Sequence, residues 1–176
     1  MKNIVLTGFM GTGKTEVGRL IAKSLGYTFV DADTEIELQE KMPITEIFKR
    51  FGEPYFRDIE SQVIKRLSEM EKVVISTGGG AVLREENIKN LRKKGIIICL
   101  QARPETIYER TKEDTSRPLL QVENPLQRIK ELLEIRRPYY EKADIMIDTD
   151  NKTPEEIAQE IINKISEIII GGEVTV

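Results

Sequence analysis

The chain has 176 residues, a length that suits one domain, and its 39% hydrophobic and 32% charged residues are typical of a globular protein with a core. The net charge is −3 and basic residues are interspersed among acidic ones, which argues against the basic face of a nucleic-acid-binding protein. The sequence has no apolar run of membrane-spanning length and no histidine, which argues against a membrane helix, a Ser-His-Asp or Cys-His catalytic set, and histidine-ligated zinc.

The first element in chain order is a predicted strand at 3–7, which runs directly into a glycine-rich loop. This loop, GFMGTGKT at residues 8–15, matches the P-loop pattern G-x-x-x-x-G-K-[ST]. An amphipathic helix is predicted at 13–25 and should end at Gly26, a residue suited to a helix C-cap. The alternative is a chance glycine-rich turn, but the strand before the loop and the helix after it favour a phosphate-binding loop.

Each residue type in this loop suits the binding of ATP. Its glycines let backbone N–H groups point at phosphate, and the following helix adds its positive dipole end. Lys14 can reach the β- and γ-phosphates, and Thr15 can offer its hydroxyl oxygen to Mg²⁺. A P-loop alone does not separate an enzyme from a nucleotide switch. The candidate ATP-binding residues in this segment are Gly11, Thr12, Gly13, Lys14, Thr15 and Glu16.

A second strand is predicted at 27–31, followed by helices at 33–41, 44–51 and 54–70. Asp31 and Asp33 lie where this strand ends and, in an extended segment, would point the same way. One carboxylate could help to hold hydrated Mg²⁺ and the other could accept a proton from an attacking hydroxyl. The alternative for Asp33 is an ordinary helix cap.

The last of these helices contains Arg57, a candidate for binding a carboxylate through its planar donor fork. Glu60 stands three residues later on the same helix face and could orient it. A third strand is predicted at 72–76, and three glycines, residues 78–80, follow it. Because glycines leave backbone N–H groups open to a ligand, we expect this segment to line the site; a tight turn is the alternative.

The next elements are a helix at 84–94, a strand at 96–100 and a helix at 104–111. Cys99 lies in that strand and is predicted to be a buried apolar residue, not a nucleophile. The polar segment 112–116 runs into Arg117, and Pro118 disfavours helix at that arginine. We predict a lid at about 111–119 that is mobile without ligands and brings Arg117 to the phosphates.

The remaining elements are a helix at about 125–137 before Pro138, a strand at 144–148 and a helix at 153–169. Arg136 is the second candidate for binding a carboxylate. Alternating strands and helices predict a parallel sheet with helices on both faces. We expect one domain at 1–170 and a C-terminal tail at 171–176. The N-terminus lacks the apolar region of a signal peptide, so a cytoplasmic protein is expected, and we expect a monomer.

From the first strand to about Lys152, the chain resembles the shikimate kinase family. Several motifs support the resemblance because they occur in the family's order. They are the P-loop, Asp31-Ala32-Asp33, Phe56-Arg57 with Glu60, Gly78-Gly79-Gly80, Arg117-Pro118-Leu119-Leu120, and Arg136 leading to Tyr140 and Ala143-Asp144. One departure is the spacing from Tyr140 to Ala143, which has two intervening residues where the family often has three.

The resemblance implies an α/β P-loop kinase fold: a five-stranded parallel sheet of order 2-3-1-4-5, flanked by helices and carrying a mobile lid. It implies transfer of the γ-phosphoryl group of ATP to the 3-hydroxyl of shikimate, giving shikimate 3-phosphate in chorismate and aromatic amino-acid biosynthesis. The implied cofactor is Mg²⁺, with ATP as co-substrate. Neither a nucleic acid nor a membrane is an expected partner.

The resemblance also implies roles for individual residues, position by position. Arg57 and Arg136 would bind the carboxylate of shikimate, Asp33 its hydroxyls, and Gly79 and Gly80 would complete this subsite. Thr15 would ligate Mg²⁺, with Asp31 just outside the direct ligands. Three further residues would bind ATP: Arg117 at the phosphates, and Arg110 and Lys152 beside the adenine. The implied catalytic residues are Lys14, Asp33 and Arg117.

Two other interpretations remain open from the sequence. A gluconate or nucleoside-monophosphate kinase has the same fold, but the glycine run and the two arginines favour a small acidic polyol. The other is a P-loop binding module or GTPase switch. The segment Asn151-Lys152-Thr153-Pro154 begins like the guanine-binding motif Asn-Lys-x-Asp but lacks the aspartate.

Overall fold

The structure, a computed structural model, describes residues 2–172, with side chains through residue 168. Five strands form one parallel sheet in the order β2-β3-β1-β4-β5, as predicted. The strands are β1 (Asn3–Gly8), β2 (Thr28–Asp31), β3 (Val73–Ser76), β4 (Gly95–Gln101) and β5 (Ile145–Asp148). Each lies within one residue of its prediction at either end.

Seven α-helices connect and follow these strands in the described part of the chain. They are α1 (Lys14–Leu25), α2 (Ala32–Glu40), α3 (Ile44–Ser68), α4 (Glu85–Lys94), α5 (Pro104–Thr111), α6 (Pro125–Tyr140) and α7 (Pro154–Gly172). Short 3₁₀ turns occur at Ala81–Leu83 and Pro118–Leu120. Gly52, with φ of 82°, breaks α3 into the two helical parts that the sequence predicts.

Successive side chains of the central strands are buried on opposite faces of the sheet. Ile4 and Leu6 of β1 pack with α1 and α7, whereas Val5 packs with α3, α4 and α6 on the other face. The continuous burial of β1 explains why its sequence lacks apolar and polar alternation. Because all five strands are parallel, the loops after β1, β2 and β3 meet at one edge of the sheet.

Two helix ends differ from prediction. Helix α6 was predicted to end at Arg137, but it continues through Pro138 to Tyr140. The proline gives up one backbone hydrogen bond, and the added turn places Tyr140 in the core at 6% exposure. Helix α7 was predicted to end at 169 but includes Gly171 and Gly172, since glycine lowers helix stability by only about 1 kcal/mol relative to alanine. The rest of the predicted tail, 173–176, lies outside the described residues.

No helix in the described part of the chain combines the length and apolar character needed to cross a membrane.

Candidate active site

The loops after β1, β2 and β3 surround a cleft of about 530 Å³ at the edge of the sheet. The P-loop forms one end of it, and α2, α3, residues 78–80 and α6 form the other. Residues 116–119 also line the cleft. The cleft therefore has a phosphate-binding end and an acceptor end, as expected for transfer between two substrates at the carboxyl edge of a parallel sheet.

The P-loop has the backbone shape that its glycines predict. Gly8, Gly11 and Gly13 have φ of 129°, 76° and 91°, which disfavour any other residue. Lys14 is buried and its ammonium donates to the carbonyls of Gly8 at 2.9 Å and Phe9 at 2.8 Å. Burial lowers the pKa of Lys14 to about 8, against the opposing effect of Asp33.

Oxygen ligands for a divalent cation lie beside the P-loop. Asp31 caps α2, since its Oδ1 accepts from the backbone N–H groups of Asp33 and Thr34. Its Oδ2 accepts from Thr15 Oγ1 at 3.1 Å. No group of three or more His, Cys, Asp or Glu that could hold a metal exists among residues 2–172. This pair fits Mg²⁺, which keeps several waters and binds through few protein oxygens plus substrate phosphates.

Asp33 is not in the extended segment from which the sequence placed it beside Asp31. It lies in the first turn of α2, and the cap is Asp31, so the alternative of Asp33 as a helix cap is also wrong. Asp33 still lines the cleft, and its Oδ1 is buried with no hydrogen-bond partner among residues 2–172. Burial and the nearby Asp31 carboxylate raise the pKa of Asp33, while Lys14 and Arg117 oppose the rise.

Arg57 lies at the acceptor end, held by two carboxylates. Its Nη1 donates to Glu60 Oε1 at 2.8 Å, as the sequence predicted, and its Nη2 donates to Glu53 Oε1 at 3.1 Å. A β-carbon at Gly80 would lie 2.3 Å from Arg57 Nη2, so any larger residue here would displace this guanidinium. The role of Glu53 was missed, although its i,i+4 spacing to Arg57 could have indicated it.

Arg136 lies across the cleft, only 2% exposed, and no carboxylate is within salt-bridge distance among the described residues. Its guanidinium carbon lies 5.4 Å from the centre of the Phe9 ring, and its Nη1 is buried without a hydrogen-bond partner. A buried arginine without a compensating charge is costly. An anion bound in the cleft would remove that cost.

The glycine segment 78–80 lies between these charged groups. A β-carbon at Gly78 would lie 2.8 Å from Glu60 Oε2 and 3.0 Å from Asp33 Oδ1, and both oxygens lack hydrogen-bond partners in the part of the chain that the structure describes. A β-carbon at Gly79 would lie 3.2 Å from Arg136 Nη1. The acceptor end therefore offers one unpaired donor and two unpaired acceptors, which suit an anionic group and hydroxyls on one small molecule.

Arg117 stands at the edge of the cleft, within the segment 111–119 for which the sequence predicts a lid. Its Nε donates to Asp114 Oδ2 at 2.9 Å, and both side chains are about one-third exposed. Ser116 and Pro118 also line the cleft, and Leu120 is buried, which anchors the end of the segment. Arg117 is thus close to the P-loop lysine, on which it acts by charge repulsion.

The two residues expected beside the adenine lie outside the cleft lining. Arg110 donates to the carbonyl of Gly11 at 3.2 Å and to Thr149 Oγ1 at 3.3 Å, which places it against the P-loop. Lys152 pairs instead with Glu160 of α7 at 2.7 Å. The structure therefore brings Arg110, but not the ammonium group of Lys152, into direct contact with the phosphate-binding loop.

Comparisons with known proteins agree with this geometry. A family model described as shikimate kinase matches residues 10–166. A shikimate kinase of Thermodesulfovibrio yellowstonii is 60% identical over 93% of this chain and 95% of its own length. One from Caldanaerobacter subterraneus is 51% identical over 92% and 95%. The solved structure of a shikimate kinase from Acinetobacter baumannii in complex with shikimate matches with a TM-score of 0.92 and 39% identity, covering 99% of this chain and 96% of that one.

Proposed function

The chain belongs to the shikimate kinase family, and we propose that its cleft binds ATP at the P-loop and shikimate between Asp33, Arg57 and Arg136. It is an ATP-dependent kinase that transfers the γ-phosphoryl group to the 3-hydroxyl of shikimate, within the pathway to chorismate and the aromatic amino acids. The roles of the individual side chains in this chemistry are proposed below.

One observation supports the acceptor subsite above all others: its unpaired atoms match the groups on shikimate. Arg136 Nη1 is an unpaired donor, and Asp33 Oδ1 and Glu60 Oε2 are unpaired acceptors. Shikimate brings a carboxylate for the donor and hydroxyls for the acceptors. Arg57 adds a second cation on the carboxylate side, and the missing side chains of Gly79 and Gly80 leave the space. A nucleotide base would offer no anion to Arg136.

The phosphoryl-transfer end uses groups that stabilise negative charge. When ATP binds, the Lys14 ammonium leaves the carbonyls of Gly8 and Phe9 and contacts the β- and γ-phosphates. Because the cleft excludes water, the attraction between this ammonium and the phosphates is stronger than it would be in solvent. Arg117 approaches from the lid and stabilises charge on the transferred group. The backbone N–H groups at residues 11–16 surround the remaining phosphate oxygens. Arg110 and Lys152 flank the adenine in this proposal.

Asp33 accepts the proton that the attacking hydroxyl loses. The new bond joins the 3-oxygen of shikimate to the γ-phosphorus, the bond from that phosphorus to the β,γ-bridging oxygen breaks, and ADP leaves. The proton moves to the Asp33 carboxylate, whose raised pKa makes it a better acceptor than an exposed aspartate. Lys14 lies close enough to Asp33 for their charges to stabilise one another.

Thr15 and Asp31 would hold Mg²⁺ at the phosphate end. The Thr15 hydroxyl would be a direct ligand and Asp31 would contact the ion's waters, consistent with their mutual hydrogen bond of 3.1 Å. When bound, the ion neutralises charge on the β- and γ-phosphates.

We also propose that one chain is the working unit and that it acts in the cytoplasm. Support for the first point is that this one chain supplies groups for both ends of the cleft, the P-loop for ATP and Asp33, Arg57 and Arg136 for the acceptor. Light scattering at the enzyme concentrations used for turnover tests it, and activity restricted to a dimer would contradict it.

An acceptor panel tests the proposed function. The purified enzyme with Mg-ATP should release ADP with shikimate and not, at a comparable rate, with gluconate or AMP. Phosphorus NMR of the product should place the phosphate on the 3-hydroxyl. Robust turnover of gluconate or AMP without turnover of shikimate would overturn the proposal.

A further inference from the structure

Arg136 and the glycine segment 78–80 belong to different parts of the chain, and the Tyr140 side chain connects them. Tyr140 lies one turn after Arg136 on α6, so the two side chains project from the same helix face. The Tyr140 hydroxyl donates to the carbonyl of Gly79 at 2.6 Å. Arg136 lies near this hydroxyl, and its positive charge acts on it.

The Gly79 carbonyl is distinct within its loop. Its neighbours Gly78 and Gly80 have carbonyls that accept from the backbone N–H groups of Ala81 and Leu83, within the local 3₁₀ turn. The Gly79 carbonyl accepts instead from a side chain 61 residues away. This hydrogen bond therefore attaches the middle of the loop to α6, whereas its neighbours form hydrogen bonds within the loop.

Small displacements of this loop would reach the acceptor subsite. A β-carbon at Gly79 would lie 3.2 Å from Arg136 Nη1, 3.3 Å from the backbone N of Met10 and 3.4 Å from the carbonyl of Gly8. The loop thus lies directly beside both the arginine and the P-loop, with little room for a side chain between them. A shift of a few tenths of an ångström would change the distance between the loop and the guanidinium.

We propose that Tyr140 is a positioning residue for the acceptor: its hydroxyl fixes Gly79 against Arg136, so that loop and guanidinium together frame the carboxylate of the substrate. This inference rests on the proposed function. It assigns Tyr140 no contact with the reacting atoms. It explains why α6 continues through Pro138, since a helix ending at Arg137 would not place a tyrosine at this point.

Two further observations support a permanent donor at this position. The Tyr140 side chain is 6% exposed, so water does not compete freely for its hydroxyl. Burial raises the pKa of Tyr140 to about 12, and the nearby Arg136 only partly opposes this rise. The hydroxyl therefore keeps its proton, and donates it to the Gly79 carbonyl, throughout the working pH range.

The test is Tyr140→Phe, which removes the hydroxyl and keeps the ring. Without this hydroxyl the Gly79 loop is no longer held against the Arg136 guanidinium, so the KM and Kd for shikimate should rise about tenfold, equivalent to about 1.4 kcal/mol. The turnover number should stay within about twofold, because the lost interaction serves ground state and transition state alike. The KM for ATP should not change.

Tyr139→Phe is the matched control, since Tyr139 stands next in the chain and its hydroxyl makes no hydrogen bond among the described residues. It should match the wild type in every constant. A shikimate KM in Tyr140→Phe within about twofold of the wild type would overturn the inference. So would an equal loss for ATP and shikimate, which would indicate a general structural defect.

A double-mutant cycle separates positioning from mere packing. In an Arg136→Lys background, Tyr140→Phe should weaken shikimate binding much less than it does alone, because the group that it positions is already altered. Additive effects would contradict the inference. Wild-type turnover of shikimate in the same assay distinguishes the proposed function from the role of Tyr140. If the wild type does not turn over shikimate, the proposed function is wrong. If it does, the variants test only the positioning role of Tyr140.

Discussion

The two arginines at the acceptor end differ in how their charges are balanced. Arg57 is paired with Glu53 and Glu60, whereas Arg136 has no carboxylate partner within the described residues and is stacked near Phe9. A substrate carboxylate therefore adds to an existing network at Arg57 but supplies the missing charge at Arg136. For this reason Arg136 should contribute more to shikimate affinity than Arg57.

Arg136→Met should separate binding from stability. Loss of one partner of a desolvated charge pair costs about 2–5 kcal/mol, so shikimate affinity should fall roughly 30-fold or more, with ATP affinity unchanged. Because the arginine is buried with no carboxylate within salt-bridge distance in the described part of the chain, the variant should melt no lower than the wild type. Calorimetric titration and thermal unfolding measure the two effects. Arg137→Met is the control, since the Arg137 side chain is 62% exposed and forms a salt bridge with Glu134.

A variant that loses affinity for both substrates, or that melts many degrees lower, would contradict this description of Arg136. The arginine would then act in the fold and not as the acceptor's counter-charge.

Asp33→Asn tests whether Asp33 accepts the proton. Asparagine keeps the size and much of the hydrogen bonding, so a substrate anchor would tolerate it, whereas loss of a general base should lower kcat by about 10²–10⁴. Asp31, not Asp33, caps α2, so the change should not weaken that helix. Single-turnover measurements report the chemical step. A near-normal rate would leave Asp33 as an anchor only.

The same variant should change how stability depends on pH. Because burial raises the pKa of Asp33, the wild-type carboxyl contributes fully to stability below its ordinary value of 3.8 and loses that contribution as the pH rises through the elevated value. The asparagine side chain of the variant does not titrate. Asp33→Asn should therefore melt higher than the wild type near about pH 8, with the difference shrinking toward about pH 4. A difference independent of pH would contradict the raised pKa.

At the scale of elements, the loop after β3 depends on glycine for a steric reason. Gly80 has φ of −95°, which alanine can adopt, so only space restricts this position. A β-carbon there would overlap the Arg57 guanidinium, which can move because it ends a flexible side chain. Gly80→Ala should thus raise the shikimate KM about tenfold, equivalent to about 1.4 kcal/mol, with little change in melting temperature. In an Arg57→Ala background the glycine change should have no further effect on the KM.

The lid is a second element with a testable role. Among the described side chains, Arg117 at the cleft edge pairs only with Asp114, so it can turn toward bound phosphates. Arg117→Ala should lower kcat by about 100-fold or more and weaken shikimate binding less. Lysine should restore only part of the rate, since it lacks the planar fork. Arg128→Ala, at an arginine of α6 paired with Glu131, is the charge-matched control.

Hydrogen exchange tests the predicted motion of the lid. Amides at 111–119 should be more protected with nucleotide and shikimate together than in the free enzyme. Equal protection in the two states, with a normal rate in Arg117→Ala, would reduce the segment to ordinary surface.

The sequence predicted the elements well where local signals were strong. The β-branched runs gave all five strands, and Gly26 ends α1 in the left-handed conformation that a C-cap glycine adopts. The sequence-based predictions were wrong where tertiary contacts determine the end of a helix or the position of a side chain. Pro138 signals a helix end, but the burial of Tyr140 extends α6, and the position of Asp33 depends on the start of α2 and not on strand alternation.

The candidate site was predictable in its residue types but not in its charge balance. Spacing along a helix indicates that Glu60 can meet Arg57. No local pattern shows that Arg136 lies buried without a carboxylate, or that Gly79 accepts from Tyr140, because the partners are distant in the chain.

At the scale of the whole molecule, the parallel sheet brings two unlike environments to one edge. The P-loop after β1 offers backbone N–H groups and Lys14 to anions, while the loop after β2 brings Asp33, and the loop after β3 brings three glycines, to the arginines of α3 and α6. We infer that the second environment recognises a small molecule with one carboxylate and several hydroxyls, and the proposed acceptor chemistry depends on this recognition.

The most direct test compares kcat/KM for shikimate with that for its methyl ester, which keeps the ring and hydroxyls but lacks the negative charge. We predict that the wild type phosphorylates shikimate and prefers it over the ester by roughly 30-fold or more, the equivalent of about 2 kcal/mol. Equal kcat/KM for the acid and the ester, or no turnover of shikimate, would contradict it.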